Sequence, residues 1–403
     1  MKMSTAFVCH NFERVGSIRP YACISFPHGL NHWWAVLCPR LPAVLRTQLF
    51  MSKTNRIGRS LTNKLSVRLR QLLFAISPDQ ASAARRGFDI RDQTMRARLD
   101  LVGITFVRGY NTALEARSLD DLGLTLDSVD LEWRGFAYEG AAMALALLDY
   151  FTLGGRSKLR RFLRGPGDRH CYMVHVGAGW AMARVPLGTG STFRQLDPTL
   201  KWLAIDGLGF HEGYFHWSKY RDGKEGGKRP AGYGAHVFDQ GLGRSLWFVS
   251  GGDVRGMSAC ISQFSEARRP DLWSGIGLAC AYAGALSTDQ LKELKAAAGT
   301  CGPSLAQGAA FAAKARERAG NQTPHTENAC RVLCGTSASI AAALTDYALN
   351  ELEAAGLKEA LSGSAGDSDT PRYEVWRRRI AAAFAEERTI PRHRFEERET
   401  IRI

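Results

Sequence analysis

The chain has 403 residues, of which 45% are hydrophobic and 23% are charged. This balance excludes a low-complexity or largely disordered chain and leaves room for one large domain or two ordinary ones. The formal net charge is +14, but residues 1–80 hold 11 basic and 2 acidic side chains, so the rest of the chain is only weakly basic. We therefore expect no binding to nucleic acid.

The termini and hydropathy indicate where the protein is located. No segment reaches the roughly 18 consecutive apolar residues of a membrane-spanning helix. Charged residues such as Glu13 and Arg14 interrupt any apolar signal-peptide core near the N-terminus. We therefore expect a cytoplasmic protein whose 9 cysteines are reduced thiols rather than disulfides.

The first two segments differ from the rest of the chain. Residues 1–50 show no sustained periodicity and precede Met51. We interpret them as a non-native extension upstream of the true start, with an N-terminal arm, disordered or ordered, as the alternative. Residues 51–135 are predicted to form an amphipathic helix over 56–75 and a cap. This basic helix is expected to pack on the protein body, with contact to an anionic membrane surface as the weaker alternative.

Short strand-like pieces occur within the second segment. Leu101–Val107 is mostly apolar, and half of the residues of Leu124–Leu131 are apolar. We therefore expect a small β element, a sheet or a hairpin cap, near residues 98–136.

Helices dominate residues 136–360. Residues 139–151 are nearly all Ala, Leu and Met, which predicts a helix buried on most sides. The run from Ser287 to Gln290 has the pattern of a helix capping box. Residues 361–403 begin with a Ser- and Gly-rich linker and continue dense in Arg and Glu, so they are predicted to form a charged, disordered tail, with an exposed helix over Tyr373–Arg388 as the alternative for that stretch.

Six similar segments recur in the helical body, each with a glycine followed by small and aromatic residues. The glycines lie 37, 36, 28, 34 and 33 residues apart, at Gly140, Gly177, Gly213, Gly241, Gly275 and Gly308. Such spacing is typical of stacked helix pairs. The expected fold class is mainly α, with a helix-pair repeat that resembles an α-solenoid or an α/α-toroid. A helical glycine costs about 0.5–1 kcal/mol relative to alanine. Close approach of a neighbouring helix backbone would offset this cost, and close approach of a ligand is the alternative.

Two histidine pairs raise the question of a metal site. His211 and His216 are five residues apart, as are His170 and His175, and this spacing rotates two helical side chains about 140° away from each other. Metal-binding helices use the i, i+4 pair instead. No dinucleotide-binding glycine fingerprint and no nucleophile elbow occurs, so we predict neither a metal nor a cofactor.

Glu or Gln precedes four of the six glycines, at Glu139, Glu212, Gln240 and Gln307. If the repeats stack, these positions line one wall. Two interpretations remain open. In the structural one, the buried carboxylates and amides satisfy neighbouring helix ends or loop amides. In the functional one, they converge with histidines and an arginine on a polar patch inside an apolar cavity, where a desolvated carboxyl has a raised pKa.

The functional interpretation assigns two sets of residues. The candidates for proton transfer or isomerisation are Glu139, Glu212 and His211. The candidates for ligand binding are His175, His216, Gln240, Arg244 and Gln307.

Several phrases of the body resemble the UnbL-type family of unknown function (domain of unknown function 1702), found in enediyne biosynthetic clusters and elsewhere in bacteria. These phrases are Arg134–Met143, His175–Ala181, Asp206–Gly213, Gln240–Trp247 and Leu305–Ala310. The resemblance runs from roughly residue 60 to 350 and implies an association with specialised metabolism. It implies no particular chemistry.

These observations together predict an accessory or catalytic protein of enediyne- or polyene-type biosynthesis that binds an apolar intermediate in a helical cavity. The alternatives are a helical-repeat scaffold for another biosynthetic protein and a non-catalytic carrier of a hydrophobic ligand. Whether the protein is an enzyme stays open. A closed apolar pocket with convergent polar groups would favour an enzyme or a carrier, whereas exposed aromatics such as Trp217 and Trp247 would favour the scaffold.

Overall fold

The computed structural model describes residues 67–151, 157–185, 192–221, 223, 229–362 and 370–385, all within the compact unit Ser60–Ile403. Residues 1–50, for which we expected a non-native extension, lie outside the described residues. The predicted amphipathic helix over 56–75 is described only from residue 67, and residues 67–74 are helical.

The described residues are mainly helical and contain no strand. The α-helices are α1 (Ala83–Arg86), α2 (Gln93–Glu115), α3 (Leu119–Asp127), α4 (Leu131–Phe151), α5 (Lys158–Leu163), α6 (Cys171–Arg184), α7 (Trp202–His216), α8 (Tyr233–Ser250), α9 (Val254–Ser262), α10 (Arg269–Ala283), α11 (Thr288–Ala298), α12 (Gly302–Ala319), α13 (Pro324–Leu333), α14 (Ala338–Ser362) and α15 (Arg372–Ala385). The predicted capping box is present at the start of α11, where Ser287 and Gln290 bond reciprocally.

The prediction of a small β element near 98–136 is wrong. Leu101–Val107 lies in the middle of α2, and Leu124–Leu131 spans the end of α3 and the start of α4. Short apolar runs do not distinguish a strand from a buried helix, and here the longer helical context decides. The boundary that we placed between residues 135 and 136 falls inside α4.

Long helices form the inner layer of the molecule. In chain order, α2, α4, α6, α7, α8, α10, α12 and α14 each pack against the next. Shorter helices stand between many of them, and α9, α11 and α13 also pack in series. The inner helix α4 is apolar nearly all round, and every residue from Gly135 to Asp149 is buried.

The inner layer curves, because helices distant in the chain also touch. The ring of Tyr282 in α10 packs edge-on against Phe136 in α4, 5.2 Å between centroids. Arg316 in α12 donates to the carbonyl oxygen of Tyr282 over 2.5 Å and, at 3.4 Å, to that of Glu132 in α4. Residues of α4, α10 and α12 therefore surround a common interior.

The recurrent glycines pack against neighbouring helix backbones, as the helix-packing interpretation predicted. A Cβ on Gly241 would lie 1.9 Å from the carbonyl oxygen of Asp206, closer than real side chains approach. A Cβ on Gly177, Gly275 or Gly308 would meet a backbone carbonyl oxygen in the same way, that of Glu139, Gln240 or Ser274, respectively. A Cβ on Gly140 would meet the carbonyl oxygen of Phe106.

Gly213 departs from this pattern. Its Cβ would meet the side chains of Ser245 and Leu242 rather than a backbone carbonyl. Gly207 makes the recurring contact instead, 2.1 Å from the carbonyl oxygen of Val176. The residue before the backbone-contacting glycine Gly207 of α7 is Asp206, whereas Glu212 precedes Gly213, which meets side chains.

Helix α15 lies in the segment that we expected to be a disordered tail. Its residues Tyr373 and Trp376 are buried, with ring centroids 5.9 and 4.6 Å from that of Phe311 in α12. Arg377 in α15 pairs with Asp271 in α10 over 2.8 Å. The expectation of a disordered tail is thus corrected for residues 372–385, because this stretch carries core side chains; residues 363–369 and 386–403 lie outside the described residues.

The described helices were compared with the requirements of a membrane span. No single helix among them is both long enough and apolar enough to cross a bilayer. Helix α13 and the first part of α14, which are bent by 69° relative to each other, meet the length and composition requirements only as a pair.

Candidate functional site

A buried ion pair lies at the centre of the polar interior. Arg244 Nη2 is 2.7 Å from Asp206 Oδ1, and Gln240 Nε2 donates to Asp206 Oδ2 over 2.9 Å. The side chains of Asp206 and Gln240 are wholly buried, and that of Arg244 nearly so. Burial raises the pKa of Asp206, and the opposing charge of Arg244 and the amide of Gln240 lower it. We call Glu139, Asp206, Gln240 and Arg244 the polar core.

Glu139 joins this polar core from α4. Its Oε1 accepts a hydrogen bond of 3.0 Å from the indole nitrogen of Trp180. Burial raises the pKa of the Glu139 carboxyl to about 7, while the charge of Arg244 and the indole bond act in the opposite direction and the charge of Asp206 adds to the increase. This carboxyl can therefore exchange a proton near neutral pH.

Two predicted ligand-binding residues lie elsewhere. Gln307 accepts a hydrogen bond of 2.7 Å from Ser274, another wall position. His175 bonds through Nδ1 to the carbonyl oxygen of Cys171 and accepts the amide hydrogen of Asp197 at Nε2, and burial lowers the pKa of His175. Its two nitrogens thus hold local backbone, in agreement with the structural interpretation for this residue.

The other three candidates form a separate cluster at the end of α7. His211 Nδ1 and His216 Nδ1 lie 3.7 and 3.4 Å from the two oxygens of Glu212. Arg184 Nε donates to His211 Nε2 over 3.3 Å. Since Nε2 accepts, His211 carries its hydrogen on Nδ1, towards Glu212. The predicted single patch is thus divided between this histidine cluster and the polar core.

Aromatic rings lie between these two groups, centred on Trp180 of α6. The Trp180 ring is 4.5 Å from Phe106, 5.2 Å from Phe210 and 5.5 Å from His211. Tyr214 and Phe215 complete what we call the Trp180 cluster, at 6.3 and 5.9 Å. The guanidinium of Arg244 also lies over the Phe210 ring, 4.8 Å from its centroid, so this cluster packs directly against the polar core.

A small cavity occurs away from the polar core. It has a volume of about 10 Å³ and is lined by residues of α4 and α6 such as Leu147 and Met182. That volume accommodates about one water molecule. The side chains of the polar core are all at least nine-tenths buried, and Tyr373 of α15 contacts Gln240, with 3.5 Å between Gln240 Nε2 and the tyrosine hydroxyl oxygen.

Sequence analysis missed Asp206, Trp180 and Arg184. Asp206 could have been found from the doublet Gly207-Leu208-Gly209, which matches Gly241-Leu242-Gly243 and Gly275-Ile276-Gly277. Gly213 has no second glycine two residues later. Trp180 and Arg184 carry no such signal, because their partners come from other helices.

Comparisons with known proteins identify a family but no characterised relative. The family model described as "Protein of unknown function (DUF1702)" matches residues 65–384. The match includes most of α15, which we had placed outside the family-like region. No curated protein and no solved structure matches the chain.

Proposed function

Because the chain belongs to the DUF1702 family, whose activity is unknown, we propose its function from the chemistry of the polar core and the Trp180 cluster. The proposal is a cytoplasmic protein of bacterial enediyne- or polyene-type biosynthesis, akin to the UnbL-type members. It binds an apolar, unsaturated intermediate against the Trp180 cluster. Glu139 gives or takes a proton in an isomerisation that needs no cofactor.

The state of Glu139 is the observation that carries this proposal. A carboxyl with a pKa near 7 is matched to acid–base work at neutral pH. It is buried and bonded to Trp180, whose ring is part of the aromatic surface. The Trp180 indole separates the Glu139 carboxyl from that surface, so the indole moves aside before Glu139 takes a proton from one carbon of the ligand and returns it to another.

The Trp180 cluster supports an apolar, unsaturated ligand. Its rings meet edge-to-face and in tilted pairs, the geometries in which they would also contact another π system, although Trp180, Phe106 and Phe210 are buried. Tyr214 and Phe215 reach solvent at one side of the cluster. A ligand could reach the cluster from that side without passing through the inner helices.

The helix-pair architecture is part of the proposal. The glycine contact that recurs from α4 to α12, together with the alternation of long and short helices, supports copies of one helix-pair unit. In such copies, the residue before each glycine faces the interior, which accounts for Glu139, Asp206, Gln240, Ser274 and Gln307.

The scaffold alternative loses one of its supports. Trp247, which we considered as an exposed anchor, is wholly buried, and Trp217 is only partly exposed. The carrier alternative differs from the enzyme only in the role of Glu139, so a single variant separates the two.

The test combines ligand binding with genetic complementation. We expect the purified protein to bind diphenylhexatriene, an uncharged conjugated probe whose fluorescence rises in apolar surroundings. A strain lacking the gene should accumulate an unsaturated intermediate. Glu139→Gln should bind the probe as the wild type does but fail to restore the pathway, whereas the exposed control Glu266→Gln should restore it.

Two results would count against the proposal. If the wild-type protein does not bind the probe, the proposal of an apolar ligand is wrong. If Glu139→Gln fully restores the pathway, the proposed proton transfer is wrong and the non-catalytic carrier becomes the favoured function.

A further inference from the structure

Two arginines border the open side of the Trp180 cluster. The guanidinium carbon of Arg86 in α1 lies 4.2 Å from the centroid of the Phe215 ring, and that of Arg184 in α6 lies 5.7 Å from the same centroid. Arg86 is also 6.0 Å from the ring of Tyr214. Residues about 100 positions apart in the chain thus place two positive charges at one aromatic ring.

Neither arginine has a carboxylate partner among the described residues. Arg86 donates through Nε to the carbonyl oxygen of Gln80 over 2.8 Å, and Arg184 donates through Nε to His211. Neither takes part in an ion pair with the described part of the chain. By contrast, Arg244, Arg268 and Arg377 of the same helical body each pair with an aspartate.

The surroundings make this pairing of cations unfavourable in the empty protein. Arg184 is exposed and Arg86 is half-buried, and the partial desolvation that remains lowers the pKa of Arg184. Burial also lowers the pKa of Arg86, and the charge of Arg184 lowers it further. Two like charges without counter-ions, one of them half-buried, repel each other, and an anion bound between them removes this repulsion.

We propose that Arg86 and Arg184 bind the oxyanion head group of the ligand, whose apolar chain lies along the Trp180 cluster. Guanidinium groups bind carboxylates and phosphates through paired hydrogen bonds. Both arginines have their terminal nitrogens available for this purpose, because the bonds described above use only Nε. The ligand class is therefore a long-chain unsaturated acid or phosphate ester, and this inference rests on the proposed function for the apolar part.

Arg86 and Arg184 contact the Phe215 ring, whereas Glu139 is bonded to Trp180, so the two polar sites contact different rings of the aromatic cluster. A ligand held by its head group at Arg86 and Arg184 would extend its chain over Phe215 and Tyr214 towards the Trp180 ring. The head group would thus fix which part of the chain comes to lie nearest Glu139.

The test uses cis-parinaric acid, a conjugated tetraene carboxylate, and its uncharged methyl ester. We expect the wild-type protein to bind the acid about tenfold or more tightly than the ester, as hydrogen bonds to a charged group imply. Arg86→Gln with Arg184→Gln should remove this preference and leave ester binding unchanged. The control is Arg160→Gln, which removes one charge from the exposed face of α5.

Further measurements distinguish a carboxylate from a phosphate head group and control for misfolding of the variants. Competition by dodecanoate, dodecyl phosphate and dodecanol identifies the preferred head group. Arg184→Lys, which keeps the charge, should retain part of the preference for the acid. Equal binding of acid and ester by the wild type would overturn the inference, and so would a preference for the acid that survives in a folded double glutamine variant. Either result leaves the proposed apolar ligand in place. If neither parinaric probe nor diphenylhexatriene binds, the proposed function is overturned as well.

Discussion

Asp206 Oδ1 lies 2.7 Å from Arg244 Nη2, and neither side chain is more than marginally accessible to solvent. The pair joins α7 to α8 at the centre of the interior. Gln240 donates a hydrogen bond to Asp206, and the charge of Arg244 lowers the pKa of Glu139. Changes at this pair should therefore affect the whole polar core.

Removing one partner of this pair should be strongly destabilising. Arg244→Met leaves the Asp206 carboxylate buried without its cation, and we expect the free energy of unfolding to fall by about 3–5 kcal/mol. Urea denaturation followed by circular dichroism measures the change. Arg255→Met is the matched control, because Arg255 is 91% exposed and its pair with Glu293 should contribute no more than about 1 kcal/mol. An equal, small loss for both variants would contradict a central role for the pair.

Alanine substitutions should distinguish the recurring glycines from the others. Gly241→Ala places a Cβ 1.9 Å from the carbonyl oxygen of Asp206, and we expect a loss of about 1–3 kcal/mol or more because backbone must move. Gly213→Ala should cost less, since the Ser245 hydroxyl that it meets can rotate. Gly302→Ala meets nothing within 4 Å and should be neutral or slightly stabilising. If Gly213→Ala lowered the thermal unfolding temperature more than Gly241→Ala, the assignment of Gly207, rather than Gly213, as the backbone-contacting glycine of α7 would be wrong.

Stability should fall as the pH rises towards neutrality, through Glu139. Burial raises the pKa of Glu139 from its ordinary value of 4.5 to about 7, so the folded state binds this proton more tightly than the unfolded state. Its contribution to the free energy of unfolding is fully present below about pH 4.5, decreases by a few kcal/mol up to about pH 7 and is constant above that.

Glu139→Gln isolates this effect, because glutamine cannot ionise. Urea unfolding of both proteins from pH 4 to 8 should show that the variant gains stability relative to the wild type as the pH rises. A difference between the two proteins that does not change with pH would show that the Glu139 carboxyl is not perturbed.

Helix α15 should be required for the interior to stay closed. Trp376 is 1% exposed, and its indole nitrogen donates to the carbonyl oxygen of Thr345 over 2.7 Å. Trp376→Ala should reduce the free energy of unfolding by about 3–5 kcal/mol and raise the fluorescence of anilinonaphthalene sulfonate. Arg378→Ala, on the exposed side of the same helix, should change neither measurement. Similar behaviour of the two variants would indicate that α15 contributes little to the core.

Local signals predicted much of the helical structure correctly. The apolar run of residues 139–151, the capping box at Ser287 and the small-residue segments all lie in helices, because periodicity and capping act over a few residues. Gly140, Gly177, Gly241, Gly275 and Gly308 were also assigned to backbone contacts correctly, since a helical glycine without such a contact is unfavourable. The strand-like pieces were the main error, because a run of seven apolar residues fits either period.

The site was predicted in part. Gln240 and Arg244 both contact Asp206, and the charge of Arg244 acts on the pKa of Glu139, but the role of these residues in a site stays a prediction. His175 and Gln307 have other partners, and His211, His216 and Glu212 form their own cluster. Asp206 precedes Gly207 and Glu212 precedes Gly213, six residues later in the same helix. The choice of Gly213 as the contact glycine therefore led to the choice of Glu212 instead of Asp206.

The amino-acid sequence alone determined the helical class, most helix positions and the glycines at which helices approach closely, since these depend on neighbours within a few turns. Only the tertiary structure decided that Asp206 rather than Glu212 faces Arg244, that α15 fills the interior, and that Arg86 and Arg184 share the ring of Phe215. These relationships join residues from about 40 to more than 100 positions apart, and only the packing of whole helices sets the direction of each side chain.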